Sequence, residues 1–483
     1  MRRRRAPGWL GTAACVAALV AGPPRAVAQT DTVEALRREL EAMKRQMKEV
    51  QQQLKRQEET IRALEAKEAA APTGPAAEKP ATAAAALDRA LEEARAAAPA
   101  PAPAGPALAA QRVGGATLRL IDTSFDILFA AGASTAGDAD IALLEGGAHD
   151  PRRRGFTLQQ GELSLAGAVD PYFTGEAHVV FTDEDVELEE AFFTTTSLPW
   201  GLQVKGGHFF TEFGRINPTH PHAWDWLDQP IVNSRLFGGE GLRNPGARLG
   251  WLLPVPWFSE LYLGAQNARG ETAASFLGEE RVAGRPLVDR DVRNPSDLLY
   301  LGRWEHAWLL GDTWSTKLGG SALFGPNASG PDGRTRIYGG DFLFKWRPAT
   351  NFRGWPFLSL QTEVMQRDYE ADGVARAPAL DATTLPDWGL YTQALYGFRY
   401  GWAGGLRYEY ASGSGQSVGG RAADPFRDDR HRASPLLVWH PSEFSRIRLQ
   451  YNFDRADHLA HGDAHSVWLG FELLYGAHAA HKY

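Results

Sequence analysis

Cysteine is almost missing from this chain: among 483 residues there is one, Cys15, and it lies in an apolar stretch close to the N-terminus. That excludes a disulfide framework and a thiolate metal centre in anything that remains once the stretch is removed. The apolar run continues past Cys15, which is unlike the ending of a lipoprotein signal. Basic charge is in deficit, with 51 Lys and Arg against 58 Asp and Glu and a formal net charge of −7. A nucleic-acid partner would favour a basic face, so none is expected. Beyond the N-terminal stretch no run of about 18 apolar residues occurs, which excludes a transmembrane helix. The H-E-x-x-H and P-loop patterns are absent. "GQSVG" (Gly415–Gly419) fits the G-x-S-x-G pattern, but it lies in a Gly/Ser-rich loop with no helix after it, where a nucleophile elbow needs a strand-turn-helix. No enzyme, catalytic residue or cofactor is therefore expected.

What is present divides the chain into four parts. Residues 1–28 read as a secretory signal: Arg2 to Arg5 supply the basic start, Trp9 to Gly22 the apolar stretch, and Ala26-Val27-Ala28 the small-x-small cleavage site. Residues 29–68 read as a coiled coil. Val33, Leu36, Leu40, Met43, Met47, Val50, Leu54, Ile61 and Leu64 recur at alternating spacings of three and four, with Gln57 filling one core slot. Mixed residue types at these positions leave two or three strands open. Residues 69–112 form an Ala/Pro-rich linker. Residues 113–483 carry the main signal, a succession of short stretches alternating with period two.

In "RIYGGDFLFKW", Tyr338, Gly340, Phe342, Phe344 and Trp346 share one face, while Gly339, Asp341, Leu343 and Lys345 share the other. "SRIRLQYNFD" sets Ile447, Leu449, Tyr451 and Phe453 against Arg446, Arg448, Gln450, Asn452 and Asp454. This is the period of a strand. Sixteen strands are predicted, starting near residues 117, 156, 172, 186, 201, 246, 258, 297, 313, 335, 357, 388, 402, 433, 444 and 465. Tight links such as "DPYF", "SLPWG" and "RYGW" follow the even-numbered strands. Mostly long polar links follow the odd-numbered ones, "DED" being a short exception. Long loops at one end and short turns at the other point to an all-β transmembrane barrel of the outer-membrane type. Trp200, Trp257, Trp314, Trp402 and Trp439 fall near the short turns, where an aromatic girdle would sit.

"VELEEAFFTTTSLPWGLQVKGGHFFTEFGRIN" (Val186–Asn217) resembles a stretch of the phosphate-selective porin O/P family, and the N-terminal coiled coil resembles that family too. The resemblance implies a trimeric 16-stranded anion channel with basic residues along its pore. It also implies a long loop after the fifth strand that folds inward and narrows the pore. "HPHAWDWLDQP" and the tail "GAHAAHKY" are more similar to a group of outer-membrane receptors, some labelled TonB-dependent and zinc-regulated. Outer-membrane transporters of that kind have about 22 strands and a plugged lumen, for which this chain is too short.

Sorting charged side chains by strand parity gives the expected pore lining. Asp122, Asp126, Glu162, Glu176, Glu187 and Glu189 come from the first four strands, which contribute no inward Lys or Arg. Later strands contribute Lys205, Arg248, Arg303, Lys317, Lys345, Arg367, Arg399, Arg407, Arg446 and Arg448. These are mixed with Glu260, Glu305, Asp341, Glu363, Glu409, Asp454 and Glu472. An acidic wall facing a basic or paired wall sets a transverse field across a pore. The loop after strand five, about Arg215–Arg243, is the expected constriction, with His220, His222, Trp224, Asp225 and Trp226 as its residues. His220 and His222 are candidate metal ligands, with Glu212, Asp225 or Asp228 to complete a site. In an extended segment their side chains would point to opposite sides, so the reading is a packed loop anchor and no metal.

The sequence thus predicts an outer-membrane porin for passive diffusion of small hydrophilic solutes, with anions such as phosphate as the finer expectation. Its expected surroundings are outer-membrane lipid, two further copies in a homotrimer, and peptidoglycan reached through a periplasmic coiled coil. Alternatives are a structural tether between outer membrane and cell wall with a plugged barrel, and a metal-linked uptake receptor.

Overall fold

The computed structural model describes residues 110–113, 116–119, 121–183, 185–375, 379–420 and 423–476. The expected signal peptide, coiled coil, nearly all of the linker and the tail from residue 477 lie outside these residues. Two short strands, β1 (Ala110–Val113) and β2 (Ala116–Arg119), pair only with each other. The first barrel strand therefore starts at residue 121 instead of near 117.

Sixteen strands then close into one antiparallel barrel. They are β3 (Ile121–Ser134), β4 (Gly155–Ala168), β5 (Phe173–Phe181), β6 (Val186–Thr195), β7 (Leu202–Phe210), β8 (Arg243–Leu252), β9 (Phe258–Asn267) and β10 (Leu298–Leu310). The second half comprises β11 (Trp314–Pro326), β12 (Arg334–Trp346), β13 (Phe357–Ala371), β14 (Thr383–Arg399), β15 (Trp402–Gly413), β16 (Arg430–Ser442), β17 (Ser445–Ala456) and β18 (Asp463–Gly476). Each strand pairs with its neighbours in sequence, and β18 pairs with β3 to close the ring. No edge is left over, which is the one way a sheet can satisfy every backbone group in hydrocarbon.

The alternation places apolar side chains outward. Trp304, Leu318, Tyr338, Phe342, Val364, Trp388, Leu406, Leu437, Leu449 and Val467 are all exposed on the barrel surface. Trp402 and Trp439, paired across β15 and β16, stack at 5.6 Å beside the short turns. The inner face departs from the expected polar surface. Leu301, Leu323 and Ile337 are cross-strand neighbours, and all three are buried inside. Two loops fold in to cover such positions. One, after β3, carries the short helix α1 (Asp138–Leu144); the other, after β7, carries α2 (Ile231–Phe237), every residue of which is buried.

Candidate functional site

The loop between β7 and β8, residues 211–242, lies across the interior of the barrel. Its apolar side chains Phe213, Ile216, Trp224, Val232, Leu236, Phe237 and Leu242 form one buried cluster with Leu299, Leu301, Leu323, Ile337, Met365 and Tyr391 of the wall. Wall glycines receive the loop where it comes closest. A Cβ at Gly405 would lie 3.0 Å from the Trp226 ring, and one at Gly470 would clash with the Leu227 side chain. Polar contacts then fix the path. Arg448 donates to the carbonyls of Trp224 (3.0 Å) and Trp226 (3.1 Å), and the Trp226 indole N–H donates to Ser434 O (2.9 Å). The Leu227 and Ile231 amides donate to Gln450 (2.8 Å) and Glu409 (2.7 Å). On the other side the Gly214 amide donates to Ser321 (3.3 Å), and Glu363 accepts from the amides of Arg215 and Ile216.

The loop is anchored on the basic wall through Asp228. This carboxylate pairs with Arg407 and lies 2.7 Å from Arg432. Burial alone would push its carboxyl up, but the two guanidinium groups hold it below the usual carboxylate range. Arg432 also reaches Glu145 of the first loop at 2.8 Å and Asp454 at 2.7 Å. Arg430 and Arg432 donate to the carbonyls of Leu143 and Leu144, the C-terminal end of α1. Cations at that end satisfy orphan carbonyls and oppose the helix dipole.

On the acidic wall the partners are histidines. Glu162 (β4) lies 3.0 Å from His178 (β5), 3.1 Å from His220 and 3.0 Å from His222. His220 also lies 2.9 Å from Glu189 and 2.8 Å from Glu190 on β6. Adjacent residues of a regular strand cannot both face inward. Here the β5–β6 register jumps from His178↔Glu190 to Val179↔Leu188, leaving Glu189 as the extra residue of a bulge. The same device on β4, where Leu128 faces Gln160 and Phe129 faces Leu158, turns both Gln159 and Gln160 inward.

The expectation that His220 and His222 diverge is overturned. Pro221–Ala223 is a turn of 3-10 helix, not extended chain, and it brings both imidazoles to the same carboxylate. The oxygen ligands proposed for them lie elsewhere. Glu212 pairs with Lys205 (3.1 Å) and Arg248 (2.6 Å), Asp228 with the arginines, and Asp225 lies beside Gln393.

Of the charged residues assigned to the pore, Asp126, Glu162, Glu189, Lys205, Arg248, Arg303, Arg367, Arg407 and Arg448 are buried. Glu176, Glu187, Lys317, Lys345 and Arg446 are half-buried, and Asp122 and Arg399 are exposed. The basic ones mostly meet carboxylates: Arg303 with Asp341 (2.6 Å), Lys317 with Glu305 (3.3 Å), Arg367 with Asp387 (2.7 Å), and both Arg446 and Arg448 with Glu472. Parity reasoning misses inward residues for identifiable reasons, Arg243 and Asp387 among them because they precede the expected starts of their strands. His178 is uncharged by formal count, Glu190 is turned in by a bulge, and Arg430 and Arg432 precede the expected start of their strand.

No family model matches the chain. It is 33% identical over 347 residues to an uncharacterized protein of Aquifex aeolicus (strain VF5), covering 68% of this chain and 71% of that one. Solved structures of similar fold include the outer membrane channel DcaP of Acinetobacter baumannii, with a TM-score of 0.48, 11% identity, and 74% of this chain and 97% of that one covered. Another is an anion-selective porin from Comamonas acidovorans, with a TM-score of 0.45, 9% identity, and coverage of 74% and 98%.

Proposed function

The chain belongs to the same family as the Aquifex aeolicus protein, and from that premise we propose that its barrel is an outer-membrane diffusion channel for small hydrophilic solutes. One observation carries this reading: a closed barrel, apolar outside, holds inside it a loop braced between an acid-rich wall and an arginine-rich wall. A water-soluble barrel has no need of a continuous apolar exterior, whereas a lipid-embedded one does. The loop narrows the lumen to whatever space its polar margin leaves, and that margin sets a transverse field for small polar solutes. Charge discrimination is expected to be weak, because most basic wall residues are neutralised by a carboxylate. The finer reading, a phosphate or general anion channel, rests on the resemblance of Val186–Asn217 and of the expected coiled coil to the phosphate-selective porin family. In a KCl gradient the account predicts a reversal potential near zero; strong anion selectivity would favour the phosphate-type channel.

A second reading has its own support. Arg407, Arg432 and Arg448 are at most 1% exposed, and every residue of α2 is buried. That degree of packing suits a barrel closed by its loop and used as a tether. Swelling of liposomes containing the folded protein separates the two. Small sugars and amino acids enter if the lumen conducts, and none enters if it is plugged.

A further inference from the structure

Where the acidic wall meets the inward loop, side chains from β4, β6 and the loop turn their ligating atoms towards one another. Glu162 Oε2 lies 3.1 Å from His220 Nδ1 and 3.0 Å from His222 Nδ1, and Glu189 Oε2 lies 2.9 Å from the same His220 Nδ1. A tetrahedral ion bound at about 2.0–2.2 Å sets its ligand atoms roughly 3.3 Å apart, a spacing that Glu162, His220 and His222 approach with all their ligating atoms within 4.8 Å of one another. Glu189 Oε2 is buried in a residue 1% exposed, and its close contact is His220 Nδ1. Three buried carboxylates, Glu162, Glu189 and Glu190, thus converge on one imidazole, His220, a concentration of negative charge that a divalent cation would balance.

The remaining atoms of these side chains are already held. Glu162 Oε1 accepts from Ser164 Oγ at 2.8 Å and faces His178 Nδ1 at 3.0 Å. His220 Nε2 faces Glu190 Oε2 at 2.8 Å. A carboxylate on one ring nitrogen fixes the tautomer and frees the other nitrogen as a ligand, which is the usual outer partner of a metal-bound histidine. Two neutral imidazoles and two carboxylates balance a divalent charge, which matters in a site this buried.

We propose that Glu162, His220 and His222 bind one first-row divalent cation of the zinc type, with Glu189 closing on it as fourth ligand by a shift of its side chain and Glu190 as the positioning residue of His220. Nitrogen and carboxylate oxygen together suit such an ion better than calcium or magnesium, which take oxygen alone. The ion ties the inward loop to β4 and β6. It is a site additional to solute passage, so a channel without zinc, or zinc without a channel, are separate outcomes.

The test uses untagged, full-length folded protein stripped with a chelator and then titrated with zinc chloride alone. One zinc per chain retained after dialysis is expected, with an X-ray absorption edge showing two imidazoles and oxygen ligands. H222A and E189Q should lose that zinc, and E190Q, which keeps all four ligands, should hold it about 10–100-fold more weakly. Folding of each variant is checked by its heat-shifted migration on gels. Stoichiometric zinc held equally by wild type, H222A and E189Q would place the ion on other histidines and overturn the proposal. So would no zinc on folded wild type, which leaves an ion-pair cluster only. If the variants do not fold, the ligand set read from the wild-type edge decides.

Discussion

At the scale of single residues, the loop is held by charges whose protonation states differ in robustness. Asp228 sits between Arg407 and Arg432 in the interior. Replacing it with asparagine removes the carboxylate shared by two buried guanidinium groups, which retain Glu409 on Arg407 and Glu145 and Asp454 on Arg432, so the cost falls below the roughly 3–5 kcal/mol of a fully broken buried pair. D228N should still unfold at a lower temperature in a heat-modifiability assay, and an unchanged transition would mean that the pair is not an anchor. Because the Asp228 carboxyl is held below its ordinary 3.8, its contribution is full above that value and is lost only in stronger acid. His149 behaves in the opposite sense. Burial would lower it, but Glu240, 3.6 Å away, and the nearby charge of Glu189 raise it to about 9. The same contact draws the Glu240 carboxyl down to about 2, against the effect of its burial. A histidine raised in the folded state stabilises fully below its ordinary 6.5 and loses that stabilisation as the pH rises through about 9. The junction of the first loop with the end of the inward loop should thus weaken between about pH 8 and 10. Proteolytic cleavage near residue 240 should increase over that range in wild type. In H149F the cleavage should already be raised at pH 7 and should not rise further.

At the scale of elements, period-two alternation with turn chemistry was enough to find the barrel. Expected starts near 186, 258, 357 and 402 coincide with β6, β9, β13 and β15. Strand β14 starts at Thr383, earlier than the expected 388, because Pro386 reads as a loop residue. The ladder of β14 with β15 ends at Asp387, so Pro386 forfeits no hydrogen bond on that side. The candidate site was legible only in part. The sequence placed Glu162 and Glu189 on the inner face and named His220 and His222. It could not show the β6 bulge that adds Glu190, nor the turn that sets both imidazoles on one carboxylate. A bulge breaks the parity on which every later assignment depends. Apolar inward positions such as Leu301 and Ile337 gave no warning of a loop core, because alternation alone does not say what covers an inner face. The glycine contacts supply an element-level prediction. Gly405→Val and Gly470→Val should push Trp226 and Leu227 off the wall and change single-channel conductance by several-fold. The equivalent change at Gly302, where a Cβ meets nothing within 4 Å, should leave it alone.

At the scale of the whole molecule, the apolar exterior and closed sheet argue for lipid on the outside, and the loop decides what passes inside. The coiled coil expected over residues 29–68 and the homotrimer implied by the resemblance make a joint prediction. Native mass measurement of the full chain should give three copies. A chain lacking residues 29–112 should keep its barrel but form trimers less completely, and equal trimer content would separate assembly from the coiled coil. The measurement that tests the central claim most directly is ion current through purified full-length protein in a planar bilayer. The account predicts discrete, ohmic conductance steps that change in Gly470→Val. A protein that inserts, keeps its heat-shifted folded form and passes no current would contradict it, and would make the inward loop a plug.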